Sequence, residues 1–303
     1  MTKGKQKKTG ETKTGVAAIV GPPNAGKSTL LNALLGQKIS IVSPKPQTTR
    51  NRIAGILSGD SYQVVMLDTP GLHRARKPLN LEMVKTAVAC LAEVDIVLFL
   101  VDVSLPMPEK QLQSIEFLDS STVPAILVLN KIDLLKKNEL LPMMEAYGKM
   151  YPFAAIVPVS ALFGNGTDVL LEEILHLLPA GPRFYPDDIP TDATERFIVG
   201  EIIREKIFLL TGQEIPYSTA VLIDSFSEEE AKKLVTIHAT IVVEKSSQKA
   251  IIIGKKGSKL QQIGKNSRHD IERLLGQRVL LKLWVKVHRN WTRDKRFIRD
   301  LGL

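Results

Sequence analysis

The chain has 303 residues, of which 44% are hydrophobic and 24% are charged, and its formal net charge is +9. This length and composition indicate a globular protein with room for two domains, each with its own core. The longest apolar runs, such as IVLFLV (96–101), are shorter than the roughly 20 residues of a membrane-spanning helix, and the single cysteine, Cys90, excludes an intramolecular disulfide bond.

Residues 1–14 carry five lysines and one glutamate and show no hydrophobic pattern. Such a segment cannot bury enough apolar surface to fold, so we predict a disordered basic tail. No apolar stretch of the kind found in a secretory signal follows it. A solvated tail is the simpler interpretation, and added affinity for RNA or lipid is the alternative.

Strands and helices are predicted to alternate in a first domain, residues 15–180. Five apolar runs have the character of buried parallel strands, and amphipathic stretches such as STLLNALLG follow them. The runs are VAAIV (16–20), YQVVMLD (62–68), DIVLFLV (95–101), AILVLN (125–130) and AIVPVS (155–160). This alternation predicts an α/β fold with a doubly wound sheet, whose ligands lie outside the carboxyl ends of the strands.

The segment GPPNAGKS (21–28) follows the first predicted strand and begins the first predicted helix. It matches G-x-x-x-x-G-K-[ST] in the strand–loop–helix context of a phosphate-binding P-loop. Backbone amides and the positive end of the helix would face the phosphates of a nucleotide. Lys27 is predicted to reach the β- and γ-phosphates, and the Ser28 hydroxyl is predicted to bind Mg²⁺.

A second phosphate-binding motif, DTPG (68–71), ends the strand predicted at 62–68. Its aspartate would hold Mg²⁺ through water, and its glycine amide would donate to the γ-phosphate, so that hydrolysis loosens this segment. Upstream, QTTRNR (47–52) offers Thr48 or Thr49 for a further position on the metal, and their chemistry alone does not rank them. His73, in the loop that follows, is interpreted as solvated rather than as a base.

Two further motifs, NKID (130–133) and SAL (160–162), each follow a predicted strand directly. The Asp133 carboxylate can accept from N1–H and the exocyclic amine of guanine, a pair of donors that adenine lacks. Asn130 would support the O6 side of the ring and tether the P-loop, and the stem of the adjoining lysine would cover the base. The Ala161 amide would donate to O6. In this order the motifs predict a GTP- and GDP-binding site.

A linker is predicted at 181–195, within the proline-rich stretch LPAGPRFYPDDIPTD (178–192). Beyond it the pattern changes to that of a smaller domain, residues 196–303. A helix at 196–212, strands at 216–226 and 235–245, helices on both sides of GKKG and a strand at 278–287 give the order α-β-β-α-α-β. This order predicts a small α+β domain.

The positive charge is concentrated in the C-terminal part of the chain. Residues 245–303 contain sixteen Lys and Arg against four Asp and Glu, a net charge of +12, whereas residues 15–244 carry −7. This asymmetry indicates a polyanionic partner, with nucleic acid as the first candidate, and a solvated basic face is the alternative.

The motif GKKG (254–257) matches the G-x-x-G loop by which KH domains clamp about four single-stranded nucleotides. It lacks the spacer and the preceding strand of a P-loop. Glycines that merely cap two helices are the alternative. With the α-β-β-α-α-β order, the motif predicts a type II KH domain, with a groove whose apolar floor comprises Ile251, Ile252, Ile253, Leu260 and Ile263. The candidate RNA-binding residues are Ile253, Gly254, Lys255, Lys256, Gly257, Lys259, Lys265 and Lys286.

Over residues 15–178 the motifs resemble the translation-factor-related class of GTPases. In related members T-R precedes the second strand, so the resemblance favours Thr49 over Thr48 as the Mg²⁺ ligand. Leu72 stands where many signalling GTPases have a glutamine that orients the attacking water, as in a subclass with a hydrophobic residue there. In relatives of that subclass an asparagine matching Asn24 ligates K⁺ beside the phosphates, and a simple turn residue is the alternative.

These motifs define the predicted nucleotide site. Catalytic roles fall to Asn24, Lys27, Thr49 and Gly71, and the Mg²⁺ ligands to Ser28, Thr49 and Asp68. The residues predicted to contact the nucleotide are Gly21, Pro22, Pro23, Asn24, Ala25, Gly26, Lys27, Ser28, Thr29, Asp68, Thr69, Pro70, Gly71, Leu72, Asn130, Lys131, Ile132, Asp133, Ser160 and Ala161.

The pairing of these motifs with EIIREK (201–206), EIPYS (214–218), IIGKKG and LWVKV (283–287) resembles the bacterial Era-like GTPases, from about residue 15 to the end. The resemblance implies a GTP-hydrolysing factor that assists 30S ribosomal subunit assembly by binding the 3′ end of 16S rRNA, with binding favoured in the GTP state. It also implies a cytoplasmic protein, peripherally associated with the inner membrane, and we expect a monomer. Pro22 departs from the arginine that is frequent there, and the basic N-terminal extension is longer than usual.

Two other functions remain as alternatives. A GTPase coupled to tRNA modification would call for a reactive cysteine in the C-terminal part, but Cys90 lies in the helical pattern MVKTAVACLAEV and is interpreted as a buried hydrophobe. An RNA-binding module with a vestigial nucleotide site is opposed by the intact set of Lys27, Ser28, Asp68 and Asp133.

Overall fold

The computed structural model describes residues 12–45, 48–72, 78–105, 115, 116, 118, 123–212, 214–229, 231 and 233–302. The chain forms two compact units. As far as the chain is described, the first unit comprises Met1–Lys38, Arg52–His73 and Ala87–Asp192, and the second comprises Ile39–Asn51, Arg74–Thr86 and Ala193–Leu303.

The first unit is built on a six-stranded sheet. Its strands are β1 Lys13–Val20, β2 Ile53–Gly59, β3 Tyr62–Asp68, β4 Ile96–Asp102, β5 Ala125–Asn130 and β6 Ala155–Val159. The order is β2-β3-β1-β4-β5-β6, with β2 antiparallel to β3 and all other neighbours parallel. The helices described before residue 178 are α1 Lys27–Leu35, α2 Pro78–Cys90, α3 Lys137–Gly148 and α4 Thr167–Leu177. Every residue of β4 and β5 is buried, as in the centre of a doubly wound sheet, so the predicted α/β fold is confirmed.

The beginning of β1 and the whole of β2 differ from the prediction. β1 starts at Lys13, so Lys13 and Thr14 belong to the sheet and not to the disordered tail, whose residues 1–11 lie outside the described part. Pairing with β3 explains the earlier start, because Lys13 lies opposite Tyr62 and its amide donates to the Ser61 carbonyl at 2.9 Å. β2 was not predicted as a separate strand, and it adds an antiparallel strand at the edge of the sheet.

The proline-rich segment after α4 packs against the edge of the first unit. The buried Gln63 side chain accepts from the Phe184 and Tyr185 amides at 2.8 and 2.9 Å and donates to the Tyr185 carbonyl at 2.9 Å. Further on, the Ile56 amide of β2 donates to the Pro190 carbonyl at 2.8 Å. These contacts satisfy backbone groups at the edge of the sheet, so the segment forms part of the first unit as far as Asp192.

The second unit contains a three-stranded sheet with helices. In chain order its main elements are α5 Glu195–Leu210, β7 Thr219–Glu229, β8 Leu234–Val243, α6 Ser246–Ile253, α7 Ser258–Leu275, β9 Arg278–Val287 and α8 Lys295–Asp300. The sheet has the order β7-β8-β9, with β7 antiparallel and β9 parallel to β8. The predicted order α-β-β-α-α-β is therefore confirmed, and the short helix α8 follows it.

Two apolar clusters stabilise the second unit. On one face of the sheet, fully buried residues from α5, β8, α6 and α7 form the main core, among them Val199, Ile203, Ile237, Ile241, Ile252 and Ile263. On the part of the sheet near Ala220 and Val242, a smaller cluster is formed by Leu79, Met83, Trp291 and Ile298. The Trp291 indole N–H donates to the Ser218 carbonyl at 2.9 Å, so its polar atom is satisfied in the buried position.

Candidate functional site

The P-loop connects β1 to α1, and two of its glycines are required by geometry. Gly21 has φ of 144° and Gly26 has φ of 100°, a region that L side chains rarely adopt. A Cβ atom on Gly21 would lie 2.2 Å from the Leu100 carbonyl oxygen, and one on Gly26 would lie 2.2 Å from the Asn130 amide nitrogen. The loop can therefore take this path only with glycine at both positions.

Lys27, the first residue of α1, is buried under the P-loop. Its ammonium donates to the Gly21 and Pro22 carbonyls at 3.1 and 2.9 Å. Burial lowers the pKa of Lys27 from 10.5 to about 8, against the charge of Asp68, which raises it. The site therefore holds a cation whose charge is poorly compensated, as suits a position that receives phosphate.

Ser28 and Asp68 form the predicted metal-binding corner of the first unit. The Ser28 hydroxyl donates to the Asp68 carboxylate at 2.6 Å, and Asp68 is fully buried at the end of β3. One hydroxyl and one carboxylate at this distance are hard oxygen ligands of the kind that Mg²⁺ takes, usually with several waters, so the residues present fit this metal. No cluster of three or more His, Cys, Asp or Glu side chains suited to a metal occurs among the residues that the structure describes.

The residues after Asp68 close against the P-loop. The Thr69 hydroxyl donates to the Ile19 carbonyl at 2.9 Å, and the Leu72 amide donates to the Gly21 carbonyl at 3.0 Å. A Cβ atom on Gly71 would lie 3.0 Å from the Pro23 backbone, which places DTPG directly beside the loop. The Leu72 side chain is 1% exposed and packs in the core of the first unit, so it offers no group that could orient water.

The guanine end of the site is assembled from the ends of β5 and β6. Asn130 donates to the Ala25 carbonyl at 2.7 Å, which is the predicted tether to the P-loop. The Ala161 amide, predicted to donate to guanine O6, donates here to the Asn130 side-chain oxygen at 3.0 Å. The Asp133 carboxylate accepts from Ser160 at 2.5 Å. The structure thus brings NKID, SAL and the P-loop together as predicted, with Ala161 bonded to Asn130.

One charged contact and one turn complete the description of this site. Lys131 pairs with Asp102 at 2.5 Å, which holds its aliphatic stem beside the end of β4. Asn24 has φ of 65°, and the Ala25 amide donates to the Pro22 carbonyl at 3.4 Å, so Asn24 lies in a left-handed turn. This conformation accords with the turn role that the sequence left open, and the K⁺ role stays a prediction.

The threonine segment predicted to contribute a metal ligand belongs to the second unit. Thr48 and Thr49 are both buried there, and the Thr48 hydroxyl donates to the Lys45 carbonyl at 2.8 Å. Gln47 and the loop residues 73–77, which include His73, lie outside the described residues. The choice of Thr49 over Thr48 therefore stays a prediction.

A buried arginine pair anchors this segment, and the sequence analysis did not identify it. The Arg50 guanidinium donates to the carbonyls of Pro216, Tyr217 and Thr219 at 3.1, 3.0 and 2.8 Å. Arg204 of α5 pairs with Glu201 and donates to the Thr48 carbonyl. The only signal in the sequence was that both arginines lie in motifs already singled out, QTTRNR and EIIREK.

The GKKG motif lies between α6 and α7. Gly254 and Gly257 have φ of 73° and 80°, and a Cβ atom on Gly254 would lie 2.8 Å from that of Lys259. Lys255 and Lys256 are exposed on the short turn between them. Gly254 also caps α6, since its amide donates to the Ala250 carbonyl at 2.9 Å. Capping and an exposed backbone loop are therefore both properties of this motif.

A groove of about 820 Å³ opens beside this loop, between α7 and β9. It is lined by Gly257, Ser258, Leu260, Gln261, Gln262, Gly264, Lys265, Arg268, Val279, Leu280, Leu281 and Leu283. Of the predicted apolar floor, Leu260 lines this groove and Ile253 does not. Ile252 and Ile263 are fully buried in the core, and Ile251 is 45% exposed. β9 supplies the rest of the floor. Lys286 is exposed on β9 and is not among the residues that line the groove.

The charged rim of the groove comes from α7 and is open to solvent. Lys265 and Arg268 are exposed at its edge, and Lys259 is half-buried beside Gly254. Among the described strands β9 pairs with β8 alone, so its other edge can offer backbone groups to a ligand. An apolar floor, a basic rim and a free strand edge are what recognition of single-stranded nucleic acid requires. None of the described helices is long and apolar enough to cross a membrane.

Comparison with protein families identifies both units. Residues 16–131 match the model of a family described as 50S ribosome-binding GTPase, and residues 214–292 match the KH domain model. GTPase Era of Syntrophus aciditrophicus is 50% identical over 290 residues, covering 96% of this chain and 95% of that protein. GTPase Era of Geobacter sp. strain M21 is 53% identical, covering 96% and 97%.

Two crystal structures are similar over nearly the whole chain. One is Era in complex with MgGDPNP and nucleotides 1506–1542 of 16S ribosomal RNA, with a TM-score of 0.93 and 41% identity, covering 96% of this chain and 99% of that one. The other is a single-site variant of Aquifex aeolicus Era bound to GDP·AlF₄⁻, with a TM-score of 0.91 and 40% identity at the same coverage. Identity, coverage and the shared order of GTPase and KH domains show that this chain belongs to the Era family of GTPases.

Proposed function

We propose that this protein binds and hydrolyses GTP and assists assembly of the 30S ribosomal subunit by binding the 3′ end of 16S rRNA. The observation that carries the proposal is the presence, in one chain, of a P-loop joined to a guanine-type end and of a GxxG groove with a basic rim. A similar structure, matched over 96% of this chain, holds MgGDPNP and 16S nucleotides 1506–1542. That match includes the KH domain, whereas the family described by 50S binding matches residues 16–131 alone.

Different residues of the first unit have different roles in GTP binding and hydrolysis. Lys27, now bonded to loop carbonyls, turns to the β- and γ-phosphates, and the Gly71 amide donates to the γ-phosphate. Ser28 and Asp68 hold Mg²⁺, which neutralises charge that develops between the β- and γ-phosphates. Asp133 accepts from N1–H and the amine of guanine. Thr49 as a further metal ligand and Asn24 as a K⁺ ligand are part of the same proposal.

The buried Leu72 has a consequence for the rate. Because it cannot orient the attacking water, intrinsic hydrolysis is slow, and K⁺ held by Asn24 supplies charge where other GTPases use an arginine. We expect turnover to be faster in KCl than in NaCl and this difference to vanish in Asn24→Ala. If the parent protein hydrolyses GTP at equal rates in KCl and NaCl, the proposed role of K⁺ is wrong.

GTP turnover itself tests the enzymatic part of the proposal. In purified protein with Mg²⁺, Lys27→Ala should lower phosphate release by about 10²-fold or more, because it removes a cation that stabilises the transferred phosphoryl group. Lys149→Ala is the matched control, since Lys149 is exposed in the first unit and pairs with the exposed Glu145 of the same helix. Turnover that persists in Lys27→Ala at the parent rate would contradict the assignment.

Crosslinking to RNA tests the proposed binding of the 3′ end of 16S rRNA. With GTP bound, we expect crosslinks to the 3′ end of 16S rRNA, weaker crosslinks with GDP, and their loss in Gly254→Asp with Gly257→Asp, which places carboxylates where phosphates must lie. Crosslinks elsewhere in the rRNA, or crosslinks that stay unchanged in the glycine variants, would contradict the proposed RNA target.

A tRNA-modification role has little support. Cys90, the only cysteine of the sequence, is buried at the end of α2, and burial raises the pKa of its thiol, against the opposing charge and hydrogen bond of Arg52. A buried thiol with a raised pKa is a poor nucleophile. For the cellular location we propose the cytoplasm, with peripheral association at the inner membrane as the resemblance implies; cell fractionation with and without high salt checks both.

A further inference from the structure

One face of the KH sheet stays open along β9. Burial alternates along this strand, so that Val279, Leu281 and Leu283 pack on the helices while their neighbours are exposed. We call the exposed set the tryptophan face and define it as Arg278, Leu280, Lys282, Trp284 and Lys286 of β9 with the adjoining His238 and Thr240 of β8.

Trp284 leaves a large apolar surface exposed to water, which is energetically unfavourable. Its side chain is 48% exposed, whereas the only other tryptophan of the sequence, Trp291, is fully buried. Leu280, on the same face, is 44% exposed. Burying an aromatic of this size is among the largest single gains a side chain can make, so an exposed one with polar neighbours marks an interaction surface.

The indole is also held in place. His238 of β8 meets Trp284 in a T-shaped contact, with ring centroids 5.2 Å apart and planes at 65°. The parallel register places Thr240 opposite Trp284, and the Thr240 hydroxyl donates to Asp224 at 2.7 Å. A ring fixed from one side loses little freedom on binding, which suits a stacking platform.

The basic residues on this face indicate an anionic partner. Lys282 and Lys286 are exposed two residues before and after Trp284, so each lies roughly 7 Å from it along the strand, and Arg278 is exposed on the same face further along β9. Asp224 of β7 lies beside this face, where its carboxylate accepts from the Thr240 hydroxyl. Cations interleaved with an aromatic ring form the pattern by which proteins hold single-stranded nucleic acid, with bases stacked and phosphates neutralised.

The tryptophan face adjoins the GxxG groove. β9 is the edge strand of the described sheet, and its inward side chains Leu281 and Leu283 line the groove. Its outward side chains form the tryptophan face, and one of them, Leu280, also lines the groove. A strand of RNA that leaves the groove across this edge therefore reaches Trp284 next. The position of Lys286, outside the groove, is explained by the same arrangement.

We propose that the tryptophan face is a second RNA contact, on which a base beyond the GxxG-bound nucleotides stacks against Trp284 while Lys282 and Lys286 bind the adjoining phosphates. This inference rests on the proposed RNA-binding function and adds to it a longer footprint than the groove alone provides.

The test compares short and long RNA probes. Labelled oligonucleotides of about four and about twelve nucleotides from the 3′ end of 16S rRNA are titrated with the parent protein and variants, and binding is followed by fluorescence anisotropy. We expect Trp284→Ala to weaken the long probe about tenfold and to leave the short probe unchanged, and Trp284→Phe to restore most of the loss because phenylalanine also stacks. Leu209→Ala is the matched control, since Leu209 is 49% exposed on α5.

Intrinsic fluorescence gives an independent readout. Because Trp291 is fully buried, the long probe should quench the emission of Trp284 in the parent protein and cause little quenching in Trp284→Phe. If the long probe binds Trp284→Ala as tightly as the parent, the inference is wrong while the proposed function stands. If the parent binds neither probe, the proposed function fails and this inference with it.

Discussion

We expect Lys27 to couple nucleotide binding to proton uptake. Burial lowers its pKa to about 8, so near pH 8 about half of the nucleotide-free molecules hold a neutral Lys27. Phosphate favours the charged form and raises that pKa, so binding at pH 8 should take up about half a proton, and binding at pH 6 almost none. Calorimetric titration with MgGDP in two buffers of different ionisation enthalpy measures this number.

The matched control for that measurement is Lys27→Arg. An arginine keeps its charge at every pH used, so any binding that survives should show no proton uptake. Uptake that is the same at pH 6 and pH 8 in the parent protein would show that the neutral form of Lys27 is not populated.

At the scale of elements, residues 39–51 depend on Arg50. Its guanidinium is buried and serves three backbone carbonyls, and burial followed by the charge of Arg204 lowers its pKa to about 9. We expect Arg50→Ala to lower the free energy of unfolding of the second unit by about 3 kcal/mol, because the carbonyls lose their donors in a buried place. Urea denaturation measures the change.

Arg52→Ala is the control for this element. Arg52 is half-exposed and its ion pair with Glu93 spans 4.0 Å, so its removal should cost less than about 1 kcal/mol. Hydrogen exchange locates the effect: amides of residues 48–51 and 217–220 should lose protection in Arg50→Ala and keep it in Arg52→Ala. Equal losses in both variants would show that Arg50 is not the anchor.

The elements that the sequence predicts best are those whose pattern is complete within the element. β3, β5 and β9 begin and end at the predicted residues, because each is a continuous or alternating apolar run. β2 was missed because IAGILSG is short, and its strand character depends on pairing with β3. The start of β1 at Lys13 has the same cause.

In the candidate site, too, features set by local sequence were predicted and features set by tertiary contacts were not. The glycines of both loops and the tether of Asn130 follow from local motifs and were predicted. The bond from Ala161 to Asn130 and the floor of the groove were not, because they depend on which side chains meet across the fold. Ile252 and Ile263 have the apolar character of a groove floor, but their helical positions direct them into the core.

For the whole molecule, the asymmetry of charge can act in two ways. The net charge of +12 on residues 245–303 either attracts RNA through a general electrostatic field or supplies individual contacts to phosphates. The two differ in their salt dependence, because each neutralised phosphate of a single strand contributes about −0.7 to the slope of log K against log salt. Removing equal charge at two places separates them.

Lys255 and Lys256 are exposed on the GxxG turn, and Lys295 and Arg296 are an equally exposed pair on α8. We expect Lys255→Gln with Lys256→Gln to make the salt slope shallower by about 1.4, since two phosphate contacts are lost, while the preference for the 16S 3′ end over a scrambled RNA stays the same. Lys295→Gln with Arg296→Gln removes the same charge and should change the slope little. If both pairs change it equally, the charge acts as a field, and the lysines of the GKKG loop make no phosphate contacts of their own.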